Sequence, residues 1–305
     1  LGGALPITSA VPSTTVTSLG SLGTGQPPGQ HGLVGYTSRV PSTGEILNGL
    51  TWESDLVPTI YQSKPTFFER ASESGVFVTS VALARFQGTG LTEAALRGAA
   101  FVPFSDESAE DLRIALIVDA ALRGDRAVVY AYERELDHYG HVHGCNSVDW
   151  LQQLGRIDAM CARLRAALPS QVTLIITGDH GMVDIPSDQR IVAEDDPALM
   201  AGVSALAGEA RFRQLYVDQE LPSRVADRWR ARLGELAWVR TRDEAIDEGW
   251  FATIDDQLRE RWGHVLVALR GDWAVMTSAF PREYTLIGMH GSLTPAEMLV
   301  PLLVA

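Results

Sequence analysis

The sequence predicts an α/β protein with a mostly parallel central sheet flanked by helices on both faces, and three observations carry that prediction. Segments 76–83, 126–132 and 171–177 are short apolar runs rich in Val, Ile and Thr, the pattern of strands buried in a parallel sheet. Amphipathic stretches over 107–122 and 148–168 lie between them. Strands that alternate with helices pack as a sheet between helical layers. No internal repeat, heptad or Pro-rich linker divides the 305 residues, so a single catalytic domain over 1–305 is preferred.

Taken in order, residues 1–13 contain no acidic residue and no stretch that reads as a strand of normal length. Residues 6–25 hold nine Ser or Thr and pass for a flexible linker. Val16, Leu19 and Leu22 nevertheless keep helical spacing behind Pro12-Ser-Thr-Thr15, which predicts a helix start there. In 148–168, residues Trp150, Leu151, Leu154, Ile157, Met160, Cys161, Leu164 and Leu168 predict one buried helical face. Residues 187–286 are less regular, with strand candidates at 212–217, 264–269 and 273–278 and a helix at 222–236; they read as an insertion or lid within the domain.

Composition excludes several roles. A net charge of −13 is wrong for a protein that coats nucleic acid, whose affinity rests on neutralising phosphates. Lys64 is the only lysine, which argues against polybasic membrane tethering. No apolar run reaches the 18 residues of a membrane helix, and a cytoplasmic protein is expected. Cys145 and Cys161 are too few for a disulfide framework or a thiolate zinc site.

The chemistry lies in three glycine-flanked motifs. The strand at 126–132 runs into Asp137-His138-Tyr-Gly140-His141-Val-His143-Gly144, and that at 171–177 into Gly178-Asp179-His180-Gly181-Met182. Gly288-Met289-His290-Gly291 comes near the end. Ligands of open α/β sheets bind beyond the carboxyl ends of strands. Carboxylate and imidazole donors placed there suit a zinc-like cation. An Asp-His pair alone is more often a cap beside an exposed histidine; three such motifs favour a metal. His138 and His143 flank the candidate ligands and read as supporting or solvent-facing, and His31 and His264 as structural. Ser13, Thr14 or Thr15 at the first helix start is either an N-cap or a nucleophile on the positive end of the helix dipole.

Together these motifs resemble the alkaline phosphatase superfamily, and within it the bacterial proteins similar to nucleotide pyrophosphatases/phosphodiesterases. The resemblance rests on Pro12-Ser-Thr-Thr15, Thr24-Gly25, Pro28-Gly-Gln-His31-Gly32, Asp137-x-x-Gly140-His141-x-x-Gly144, Asp179-His-Gly-Met182 and Gly288-x-His290-Gly291, in order along nearly the whole chain. It implies Thr15 as nucleophile, with Thr14 the alternative if the register slips by one. It implies Asp137, His141 and His290 as ligands of one divalent metal, and Asp179 and His180 of a second, with zinc expected and manganese possible.

Two departures stand out. The family's second metal takes a further Asp ahead of the nucleophile, whereas no Asp precedes Asp55 here, and Ser18 stands where the phosphodiesterases carry Asn. The chain is therefore expected to lack the family's first strand. Arg85 and Arg97 are unassigned candidates for a phosphate contact. The reading is a two-metal phosphodiesterase or nucleotide pyrophosphatase acting on a small phosphate ester or nucleotide through a phospho-threonine. Its rivals are a phosphomonoesterase of the same superfamily and a catalytically impaired metal- or nucleotide-binding relative.

Overall fold

A computed structural model describes residues 2–305, with side chains from Pro6 onward. Strand β1 (Gly2–Thr8) leads through Pro12 into α1 (Thr15–Thr24), so the stretch read as too irregular for a strand forms one. Gly-Gly and Pro6 mask the apolar alternation there, and pairing with the C-terminus supplies what local propensity lacks. The short helices α2 (Phe67–Glu73) and α3 (Gly90–Ala95) flank β2 (Phe77–Leu83) in sequence. Next come β3 (Ala100–Phe104), α4 (Glu110–Ala121), β4 (Ala127–Ala131), α5 (Glu135–His143), α6 (Val148–Ala167) and β5 (Ile175–Thr177).

β2 is the centre of a parallel sheet, hydrogen-bonded to β3 on one side and β4 on the other. Its side chains alternate, as the period of two requires. Val78 joins Val128 and Tyr130 of β4 against Val16 and Leu19 of α1, Phe68 of α2 and Leu91 of α3. Val81 and Leu83 instead meet Ile114 and Ile117 of α4 and Met160 and Leu164 of α6. The face read from the sequence is covered only in part: Gln153, Met160 and Leu164 of α6 are buried, whereas Leu151 and Leu154 are exposed.

Residues 187–286 hold an antiparallel sheet. It is built from β6 (Ala205–Glu209), β7 (Phe212–Tyr216), β8 (Ala237–Thr241) and β9 (Val265–Leu269), in the order β6-β7-β9-β8, with α7 (Pro222–Leu233) between β7 and β8 in sequence. Val265, Val267 and Leu269 face Val225, Trp229 and Leu233 of α7, while Leu266 and Ala268 face Phe251 and Trp262. Strand β10 (Leu299–Val304) closes the chain, antiparallel to β1 on one edge and to β5 on the other. This small sheet sets the start of α1 beside the end of β5, where the chemistry gathers.

Candidate active site

Helix α1 begins where its hydroxyls matter. Thr14 has the extended backbone of an N-cap (φ −143°, ψ 151°), yet its side chain makes no capping bond. Thr15 opens the helix, and its Oγ1 donates to Asp179 Oδ2 at 2.9 Å and lies 3.2 Å from His180 Nε2. The first N–H groups of α1 are left for an anion. Ser18, one turn on, donates to the Asp179 carbonyl at 2.7 Å and so ties α1 to the turn after β5.

The segment after β4 is a helix rather than an open connection. Glu135 and Asp137 occupy its first turn and His141 and His143 its last, the charge order that suits the helix dipole. Asp137 and His141 stand four residues apart and share one helical face. Asp137 Oδ1 lies 3.4 Å from His141 Nε2, 4.0 Å from His180 Nε2 and 3.9 Å from His290 Nε2. Donor atoms of Asp137, His180 and His290 lie within 4.8 Å of one another. That group draws one residue, His180, from the second ligand set implied by the resemblance and two from the first. Asp179 Oδ2 lies 3.6 Å from His180 Nε2.

All three imidazoles are held in one tautomer. Nδ1 of His141 meets the Gly288 carbonyl at 2.8 Å, that of His180 the Gly181 carbonyl at 2.9 Å, and that of His290 the Ser13 carbonyl at 3.0 Å. A carbonyl only accepts, so each Nδ1 carries the proton and each Nε2 presents a lone pair. These lone pairs converge on Asp137 Oδ1, which is buried without a hydrogen-bond partner. Converging acceptors repel unless a cation stands among them, and backbone-held imidazoles are how proteins orient metal ligands. The donor set of carboxylate oxygen and imidazole nitrogen fits a divalent cation.

The electrostatics point the same way. Burial works against a charged His180, but Asp179 and Asp137 outweigh it and raise its pKa. His290 is driven well below the ordinary histidine range by burial and by His180 and His141. Its ring stacks on His180 with centroids 3.7 Å apart.

Two further residues border the site. Tyr132, just past β4, sits beside the Thr15 hydroxyl, and burial followed by Asp179 pushes its phenol well above the usual value. Glu209, at the end of β6, brings Oε2 within 3.4 Å of His290 Nδ1, and burial and then Glu283 raise its pKa well above the carboxylate range. No sequence signal marked Glu209, which precedes the strand read at 212–217 and stands apart from every ligand motif.

The remaining candidates lie elsewhere. His138 is exposed, and His143 faces Asp149 at 3.6 Å. His31 is buried between Ser21 Oγ and the Leu33 N–H, and His264 Nδ1 accepts from the Val217 N–H. Arg97 binds Glu69 and the carbonyls of Gln62, Lys64 and Ala94, leaving nothing for a phosphate; Arg85 lies exposed over Phe86.

Residues 3–293 match the family described as Type I phosphodiesterase / nucleotide pyrophosphatase. The fold is similar to that of murine ectonucleotide pyrophosphatase / phosphodiesterase 5 (TM-score 0.76, 17% identity, 97% of this chain and 78% of that one). The human protein of the same name gives a TM-score of 0.75 at 17% identity, covering 98% and 78%. Phosphonoacetate hydrolase from Sinorhizobium meliloti 1021, in complex with phosphonoacetate, gives 0.73 at 20% identity, covering 99% and 81%. A comparison with curated proteins finds no match. No helix among the described residues is long and apolar enough to cross a membrane.

Proposed function

We propose, for a chain that belongs to the Type I phosphodiesterase / nucleotide pyrophosphatase family, that it hydrolyses phosphodiesters or nucleotide pyrophosphates with Thr15 as the nucleophile. The observation that carries this is the Thr15 hydroxyl: at the N-terminus of α1, 2.9 Å from Asp179 and 3.2 Å from the lone pair of His180. Asp137, His141 and His290 would hold one divalent cation, and Asp179, His180 and Thr15 a second, zinc or alternatively manganese. When bound, such a pair supplies charge neutralisation for the attacking and leaving oxygens of an in-line displacement. Asp179 takes the hydrogen bond of the Thr15 hydroxyl and so aims its lone pairs away from the carboxylate. Attack by Thr15 Oγ1, its proton passing toward Asp179 Oδ2, forms the bond to phosphorus as the alcohol or phosphate leaving group departs, which gives a phospho-threonine that still carries the substrate's other ester group. The free N–H groups at the start of α1 receive the phosphoryl oxygens. Water then displaces Thr15 from phosphorus.

A nucleotide substrate is favoured by a relative: a threonine-to-alanine variant of the murine protein, described as inactive, is known in complex with AMP. Residues 187–286 act as an inserted unit beside the catalytic sheet, which carries helices on both faces; the two packing clusters across β2 support that arrangement.

The test is a set of bis-aryl phosphate, aryl phosphate and nucleotide pyrophosphate with added zinc or manganese. Diesters or pyrophosphates are expected to exceed the monoester in kcat/KM, and the reverse order makes this a monoesterase. Thr15→Ala should lower turnover about 10³-fold or more and abolish a covalent adduct, phosphorus with its retained aryl or nucleoside group, in trapped enzyme. Retained turnover moves the nucleophile to Thr14 or to water.

A further inference from the structure

We propose that Glu209 is a positioning residue for the metal ligand His290, through which the inserted sheet reaches the catalytic centre. The inference rests on the metal-site reading above. Glu209 closes β6, outside every ligand motif, and its side chain is 10% exposed. Its Oε2 lies 3.4 Å from His290 Nδ1, the nitrogen whose proton goes to the Ser13 carbonyl at 3.0 Å. Its other oxygen, Oε1, is buried without a partner.

A carboxyl oxygen beside a protonated Nδ1 favours that tautomer and keeps the Nε2 lone pair free. The surroundings are shaped for it. Gly291 has φ +127°, and a Cβ there would stand 2.7 Å from Glu209 Cγ, so the residue after the ligand leaves room for the acid. The Thr14 hydroxyl, unused as a helix cap, neighbours the same carboxyl. Ser13 in turn pairs with the ligand loop, its N–H on the Gly291 carbonyl at 3.1 Å and its Oγ on the Ser292 carbonyl at 2.7 Å. Glu209 therefore sits where the nucleophile turn and the His290 loop are stitched together.

The test measures zinc affinity by chelator competition, with the melting temperature of the metal-free chain measured alongside. Glu209→Leu should weaken zinc binding about 10–100-fold without lowering the metal-free melting temperature. Glu209→Gln keeps an acceptor oxygen and should return the affinity to within about threefold of the parent on the same scale. Leucine binding zinc as tightly as the parent overturns the proposal, and so does glutamine failing to rescue. If the leucine variant does not fold, Glu209→Asp decides: it draws the carboxyl back from Nδ1, and an unchanged affinity overturns the proposal. A parent chain that binds no zinc would instead sink the metal-site reading on which this one stands.

Discussion

A histidine's role here follows from what its Nδ1 touches. In His141, His180 and His290 that nitrogen meets a carbonyl and must carry a proton. In His31 it accepts the Leu33 N–H at 3.1 Å, so the proton sits on Nε2 beside Ser21. His31 is 1% exposed, and burial followed by Arg261 lowers its pKa to about 3 from 6.5. The folded chain keeps it neutral where the unfolded chain takes a proton. Its contribution is therefore present above pH 6.5 and lost as the pH falls from there toward 3. His31→Gln should remove up to about 1.4 kcal/mol of destabilisation per pH unit below pH 6. Urea unfolding of both proteins at pH 7 and pH 5 checks this, and parallel losses would refute it. Sequence context sorts these histidines by their neighbours, but only their tertiary partners fix which nitrogen of each carries the proton.

At the level of elements, glycine shows how the same residue serves two ends. On α1, a Cβ at Gly23 would fall 1.7 Å from the Ala95 carbonyl oxygen, so α1 and α3 touch through backbone. On α6, a Cβ at Gly155 meets nothing within 4 Å. Gly23→Ala should destabilise by about 1–3 kcal/mol through overpacking. Gly155→Ala should stabilise by about 0.5–1 kcal/mol, since an exposed helical glycine carries only an entropic cost. Equal effects in denaturant titrations would contradict the packing. The apolar period in the sequence located α6 but placed its buried face too broadly. Leu151 and Leu154 carry the right spacing and still face solvent, because period reports what a helix can bury and not what packs against it.

Across the whole molecule, the centre joins segments that are remote in sequence: Thr15 on α1, Asp137 and His141 on α5, Asp179 and His180 after β5, and His290 after Gly288–Met289. Cations held as proposed would link these parts of the fold in pairs and stabilise the folded state alone. Zinc at 1,000 times its dissociation constant should add about 4 kcal/mol, seen as a rise of several degrees in melting temperature that a chelator reverses. Asp137→Asn should shrink the rise while leaving the metal-free chain no less stable, since the orphaned Oδ1 contributes nothing without a cation. A melting temperature indifferent to zinc, with Asp137 intact, would refute the site.

The motifs, their order and the strand–helix alternation were legible in the sequence, because ligand chemistry and hydrophobic period are local properties of a chain. So were the strands at 212–217 and 264–269 and the helix at 222–236, found at Phe212–Tyr216, Val265–Leu269 and Pro222–Leu233. Strand β1 was not: its pairing partner lies almost 300 residues away, and a strand with glycine and proline is made by its neighbour. Glu209 was not either, since nothing near it in sequence belongs to the centre. What the tertiary structure decided is which lone pairs face which oxygen, because hydrogen-bond direction and burial belong to pairs of distant residues and exist only once the chain has closed.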